Sequence, residues 1–217
     1  MIKTPQSELA GILSLVPVIP VVVIEDSGDA ALLAQALVRG GLRVIEVTLR
    51  TDAALPAIAA MSSVEGAIVG AGTVLNRDQL VASRQAGARF AVSPGATDSL
   101  LDAADGLGVP LLPGVATASE AMALIERGYR FAKFFPAEPL GGVPMLRALA
   151  SPLPQLQFCP TGGISPGNAL SYLALPNVIC VGGSWMVSAS ALARRDWAEI
   201  EEQSRLAASW RSQRAIS

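Results

Sequence analysis

Eight short apolar runs alternate with segments of helical spacing along the 217 residues, and this alternation constrains the fold more than any other feature. The runs are Val18 to Val23, Val44 to Arg50, Ala67 to Ala71, Phe90 to Ser93, Val109 to Leu112, Arg130 to Phe134, Gln157 to Pro160 and Val178 to Val181. They are too short for helices and several are rich in β-branched residues, so they read as strands. The helical segments are Asp29 to Arg39, Asp52 to Met61, Asn76 to Ala86, Asp98 to Asp105, Ser119 to Arg127, Val143 to Ala150, Asn168 to Ala174 and Asp196 to Trp210. Asp and Asn open most of them, as caps would, and Gly40-Gly41 marks the end of the first. Strand–helix repetition implies right-handed crossovers and an all-parallel sheet. Eight such units in a chain of this length predict a (β/α)8 barrel, with a short helix around Glu8 to Leu15 preceding the first strand. An open, doubly wound sheet is the competing architecture, but it needs fewer strands and a reversal of strand order.

Composition supports strands buried on both faces, since 51% of residues are hydrophobic and only 16% are charged. No linker or compositional break divides residues 1–217, which predicts a single domain able to bury roughly 70% of its unfolded surface. A net charge of −2 offers no basic footprint for nucleic acid. The apolar stretch Leu13 to Ile24 is broken by Pro17 and Pro20 and is too short for a membrane span, so a cytoplasmic location is expected. Cys159 and Cys180 lie inside apolar runs without the spacing of a metal or redox pair, and read as core residues.

The sequence contains no histidine. Proton transfer must then fall to carboxylates, lysine, tyrosine or water, and imidazole triads are excluded. Lysine is nearly as scarce. Lys3 stands at the N-terminus, whereas Lys133 is set among Phe131, Phe134 and Phe135 at the end of the sixth strand. Lysine is seldom buried without a reason, and only lysine among the cationic side chains is readily held as a neutral amine able to attack a carbonyl.

In a barrel the functional groups come from the C-terminal strand ends. Period-two alternation puts Val44, Glu46, Thr48 and Arg50 on one face of the second strand, opposite the sixth in an eight-membered ring. Lys133 and Glu46 are therefore expected to face one another across the mouth, either as a reactive pair or as a structural ion pair. The third strand ends in Gly70-Ala71-Gly72-Thr73, where glycine admits close backbone approach and Thr73 brings a hydroxyl. Ser93-Pro94-Gly95 and Pro113-Gly114 are as consistent with ordinary turns as with ligand contact. Thr161-Gly162-Gly163-Ile164 and Gly182-Gly183-Ser184 end the last two strands, where free amides in such barrels frequently hold phosphate, although paired turns without a ligand would show the same glycines.

The motifs Glu46 to Thr51, Gly70 to Thr73, Phe131 to Glu138, Pro160 to Ile164 and Gly182 to Trp185 together resemble the bacterial 2-keto-3-deoxy-6-phosphogluconate (KDPG) and 4-hydroxy-2-oxoglutarate (KHG) aldolases. The similarity runs from about Pro17 to Val187. It implies a class I aldolase of the Entner-Doudoroff pathway, forming a Schiff base and releasing pyruvate and glyceraldehyde 3-phosphate, with no cofactor or metal. By the same resemblance Lys133 is the Schiff-base lysine and Glu46 the general acid/base, while Arg50 and Thr73 hold the pyruvyl carboxylate. Thr161, Gly162, Gly163 and Ser184 contact the hydroxyl and phosphate end, and Pro94 and Phe135 wall the pocket. A homotrimer is implied as well. Two other readings stay open on the residues alone: an isomerase or synthase acting on a phosphorylated metabolite without a Schiff base, and a non-catalytic sugar-phosphate sensor.

Overall fold

The computed structural model describes residues 4–214, so Lys3 lies outside the described residues. Strands β1 (Val18–Val22), β2 (Val44–Thr48), β3 (Ile68–Gly72), β4 (Phe90–Val92), β5 (Leu111–Leu112), β6 (Gly114–Val115), β7 (Phe131–Phe134), β8 (Gln157–Pro160) and β9 (Val181–Gly183) follow in chain order. They form a six-stranded sheet, β5-β4-β3-β2-β1-β9, and a three-stranded sheet, β6-β7-β8. Every pair is parallel. All five positions of β2 are buried, as expected of a parallel strand covered on both faces.

The expectation of a (β/α)8 barrel is met at the level of class: the fold is α/β with parallel strands and intervening helices. The six-stranded sheet is open and curled, and hydrogen bonds bridge its two ends to the smaller sheet. At one end the fifth expected strand, Val109 to Leu112, is reduced to β5, and a second short strand, β6, follows it beyond Pro113. Proline has no N–H to give to a ladder, so regular pairing lapses there. Its carbonyl still accepts from the Lys133 N–H at 2.8 Å, and Gly114 pairs with Lys133. Of Pro113-Gly114, read as either an ordinary turn or a ligand contact, Gly114 therefore belongs to a strand and Pro113 is the break between β5 and β6. At the other end isolated bridges join Phe158 to Val178 and Thr161 to Gly182.

The last expected strand, Val178 to Val181, is displaced toward the C-terminus, with β9 at Val181–Gly183. Gly182 and Gly183 therefore belong to the strand, and only Ser184 follows it. The second strand is shorter than predicted. Arg50 lies in the turn after β2, where its N–H donates to the Thr48 carbonyl.

The helices are α1 (Pro5–Leu13), α2 (Ala30–Arg39), α3 (Ala54–Ser62), α4 (Arg77–Gln85), α5 (Asp98–Leu107), α6 (Ala118–Glu126), α7 (Gly142–Ala150), α8 (Ala169–Leu173), α9 (Ala189–Ala193) and α10 (Trp197–Arg214). Asn76 and Asp196 accept first-turn amides of α4 and α10, as expected, whereas α1, α5, α6 and α9 are capped by Thr4, Thr97, Thr117 and Ser188. Asp98 is the first residue of α5, and Thr97 caps it. The five-residue helix α9 went unread because so short an apolar segment carries no distinguishable period.

Helix α1 lies across the N-terminal strand ends. Glu8 pairs with Arg89, just before β4, and Gln6 accepts from the Arg130 N–H, just before β7. Its buried Leu9, Ile12 and Leu13 join the core. That end is filled, which leaves the opposite, C-terminal ends for a site.

Candidate active site

Lys133 is the third residue of β7, 4% exposed, and Glu46 is the third of β2, 3% exposed. Their side chains meet, with Lys133 Nζ donating to Glu46 Oε1 at 3.2 Å. Two buried charges held on separate strands are costly to desolvate, and the contact offsets that cost only because both partners are present. The Phe135 ring lies 5.2 Å from Nζ, measured to its centroid, and shields the amine from one side. Phe134 points the other way and packs edge-on against Phe158, their centroids 6.2 Å apart, so it belongs to the core and not to the amine's surroundings.

Glu46 owes its position to Gly72 on the neighbouring strand. A Cβ at residue 72 would stand 2.3 Å from Glu46 Oε1, so only glycine leaves room for the carboxylate. Thr48, on the same face by alternation, is wholly buried and gives its hydroxyl to the Val22 carbonyl at 3.1 Å, tying β2 to β1.

Arg50 and Thr73 leave the ends of adjacent strands and meet: Arg50 Nε donates to Thr73 Oγ1 at 3.4 Å. Thr73 has a left-handed backbone with φ 58°, a conformation that strains a β-branched residue. Because the Thr73 oxygen accepts from arginine, its own proton is left to donate outward. Together they present a cation and a hydroxyl at the same end of the sheet as Lys133.

Pro94 follows β4, in a turn closed by Ser93 Oγ donating to the Gly95 carbonyl at 2.6 Å. Gly114 presses on this turn, since a Cβ there would come within 2.3 Å of the Pro94 carbonyl. This brings Pro94 beside β6, the strand paired to Lys133. The contact was not legible beforehand, because Gly114 looked like an ordinary turn glycine.

Thr161 is buried, and its hydroxyl fills the space in front of Gly182, where a Cβ would be 2.3 Å from Oγ1. Gly162 and Gly163 follow with φ of 100° and 81°, left-handed values that glycine adopts without strain. The exposed Ser184 follows β9, and the next residue, Trp185, stacks on Trp210 of α10 at 5.8 Å. Gly183 makes that stacking possible, because a Cβ would meet the Trp185 ring. The Thr161–Gly182 bridge brings the two glycine-containing segments side by side.

A buried amine touching a buried carboxylate, with cationic and amide-rich strand ends around it, defines an α/β enzyme suited to carbonyl chemistry. Comparison with known proteins specifies the class. Residues 9–203 match the model of the aldolase family described as KDPG and KHG aldolase. The 2-dehydro-3-deoxy-phosphogluconate aldolase of Pseudoalteromonas atlantica is 54% identical over 187 residues, covering 86% of this chain and 87% of that protein. Among solved structures, the KDPG aldolase of Zymomonas mobilis with 3-phosphoglycerate superposes with a TM-score of 0.91 at 48% identity, covering 94% of this chain and 97% of that one. The KDPG aldolase of Legionella pneumophila, with pyruvate captured as a covalent carbinolamine intermediate, gives 0.89 at 45% identity, covering 95% and 98%. The chain belongs to the KDPG and KHG aldolase family and is a lyase.

Proposed function

We propose that the protein is a Schiff-base aldolase that cleaves 2-keto-3-deoxy-6-phosphogluconate to pyruvate and glyceraldehyde 3-phosphate and also acts on 4-hydroxy-2-oxoglutarate. The single observation that carries the mechanism is the buried Lys133–Glu46 contact at 3.2 Å. Transfer of the ammonium proton to the carboxylate along this hydrogen bond leaves a neutral amine. The amine attacks the C2 ketone, and loss of water gives an iminium ion. Glu46, again a carboxylate after handing a proton to the departing water, takes the C4 hydroxyl proton as the C3–C4 bond breaks. The bond's electrons pass into the iminium to give an enamine. Protonation at C3 and hydrolysis release pyruvate and restore the amine. The iminium supplies the electron sink, so this chemistry calls for no metal or other cofactor.

Arg50 and Thr73 hold the substrate carboxylate in this reading. Pro94 and Phe135 line the three-carbon pocket, and Thr161, Gly162, Gly163 and Ser184 take the hydroxyl and phosphate end. The pairing of Arg50 with Thr73 supports the first role, and the adjacency of the two glycine-containing segments supports the last.

We further propose that the two sheets work as one closed (β/α)8 barrel forming a single domain. The bonds at Pro113, Asn177 and Thr161 that bridge the sheet ends support this. A homotrimer and a place in the cytoplasmic Entner-Doudoroff pathway follow from family resemblance. Among the described residues no helix is long and apolar enough to cross a membrane.

Borohydride reduction in the presence of pyruvate tests the reading. The expected result is a three-carbon adduct on the peptide carrying Lys133. A turnover-competent protein lacking that adduct would have to use another mechanism.

A further inference from the structure

One polar pair beside the site, a buried tyrosine and an exposed glutamate, has no part in the chemistry above. The Tyr172 hydroxyl, on α8, donates to Glu138 Oε1 in the loop after β7. Tyr172 is fully buried, and burial together with the Glu138 carboxylate pushes its hydroxyl well above the ordinary tyrosine range, so it remains a neutral donor. Two glycines make room for the pair. A Cβ at Gly142 would stand 2.8 Å from the Tyr172 hydroxyl and 3.0 Å from Glu138 Oε1. A Cβ at Gly163 would stand 2.6 Å from Glu138 Cγ.

Those contacts put Glu138 directly against the loop that follows β8. Its own N–H donates to the Gly162 carbonyl at 3.0 Å, and the Ala137 N–H donates to the Thr161 carbonyl at 2.8 Å. These bonds prolong the β7–β8 pairing beyond the strand ends and turn the loop's carbonyls toward β7. On the far side, Asn168 Nδ2 donates to the Gly163 carbonyl at 3.0 Å, and Asn168 Oδ1 accepts from the Ser165 N–H. Among the described residues, the N–H groups of Gly162 and Gly163 enter no protein hydrogen bond. The loop is therefore fastened through its carbonyls while its amides are kept available.

We infer that Glu138 and Tyr172 are positioning residues that fix the Gly162–Gly163 amides for the substrate's phosphate, and thereby set the preference for phosphorylated over unphosphorylated substrates. Glycine in a left-handed conformation has many alternatives, so an amide pair of this kind is precise only when something else restricts it. The Glu138 methylenes restrict it by contact with Gly163. The Tyr172 hydroxyl holds the Glu138 side chain in the rotamer that makes this contact. Neither side chain touches the reacting atoms in this account.

The inference rests on the proposed phosphate role of this loop, and its test separates the two. The Tyr172→Phe variant is expected to raise KM for KDPG roughly tenfold, the scale of one lost hydrogen bond to a charged group. Its kcat for KDPG and its KM for unphosphorylated KHG should stay within about twofold of the parent. Glu138→Ala should match it, whereas Glu138→Gln, whose amide oxygen still accepts, should restore most of the affinity. An equal rise for both substrates would mean a general structural role, and no rise in either would mean no role; each overturns the inference. Ser184→Ala is measured alongside. If it raises KM for KDPG while Tyr172→Phe does not, only the positioning inference fails. If neither variant raises it, the phosphate does not sit at these loops, and the inference falls together with that reading.

Discussion

Lys133 Nζ and Glu46 Oε1 are 3.2 Å apart, and neither side chain is more than 6% exposed. The two residues are 87 positions apart in sequence and stand on strands of different sheets, β2 and β7, so tertiary packing brings them together. A surface pair at this distance would contribute little, because water screens it. A pair this buried is shielded from water, and its hydrogen bond gives a proton a direct path between the two side chains.

Glu46→Gln keeps the shape of the side chain and removes the base. Turnover is expected to fall by about 10²- to 10⁴-fold, the usual worth of a general base. Borohydride trapping of pyruvate on Lys133 should persist, at a lower rate, because the amine remains. Steady-state kinetics and peptide mass read the two effects separately. A variant that turned over at the parental rate would leave the carboxylate with a structural role only.

Gly72→Ala tests the same pair from the neighbouring strand. The added methyl would lie 2.3 Å from Glu46 Oε1 and 2.7 Å from Cγ, both far inside contact distance. The carboxylate must swing away, which leaves Lys133 buried without its partner. Breaking a buried pair in this way typically costs about 3–5 kcal/mol, so a large fall in the urea midpoint should accompany the loss of activity. Gly95→Ala is the control, since a Cβ there meets nothing within 4 Å.

How much of this was legible in the sequence depends on the range of the interaction. The strand–helix alternation is local, so the parallel α/β class could be read directly. Period-two parity put Glu46 on one face of its strand, and the expectation of an eight-membered ring put that strand opposite Lys133. Strand ends were less legible. Arg50 falls beyond β2, Gly182 and Gly183 fall inside β9, and Gly114 falls inside β6, because pairing partners rather than local propensity decide where a strand stops. Hidden altogether were the contacts that depend on register between strands or on loop packing: Gly72 against Glu46, Gly114 against Pro94, and Tyr172 with Glu138. A sequence pattern can mark a glycine as permissive, but it does not say which side chain fills the vacated space.

Thr73 offers a separation of stability from binding. Its left-handed backbone is unfavourable for a β-branched residue by about 1 kcal/mol or more, a cost that persists in Thr73→Ala and disappears in Thr73→Gly. Both variants lose the hydroxyl that accepts from Arg50. Pyruvate-dependent trapping should therefore require several-fold more pyruvate in both. The glycine variant should nevertheless be at least as resistant to urea as the alanine variant. Equal pyruvate dependence in parent and variants would remove Thr73 from the carboxylate site.

Tyr129 predicts a pH effect away from the site. Its hydroxyl donates to Asp105 Oδ1 at 3.0 Å, and burial first, then the Asp105 carboxylate, push its pKa upward. The folded state therefore keeps the phenol protonated where the unfolded chain, titrating near pH ~10, begins to lose that proton. Stability from this group is complete below about pH 10 and declines as pH rises beyond it toward the folded-state value, because there the folded state binds more protons than the unfolded one. Tyr172 behaves in the same sense, so the parent should lose stability in strong alkali through both. Tyr129→Phe should lower the urea midpoint at pH 8 through loss of the hydrogen bond and leave Asp105 to Arg127, 3.6 Å away. Between pH 8 and pH 11 its midpoint should fall by less than that of the parent. A parallel fall in both proteins would show that the alkaline loss has another origin.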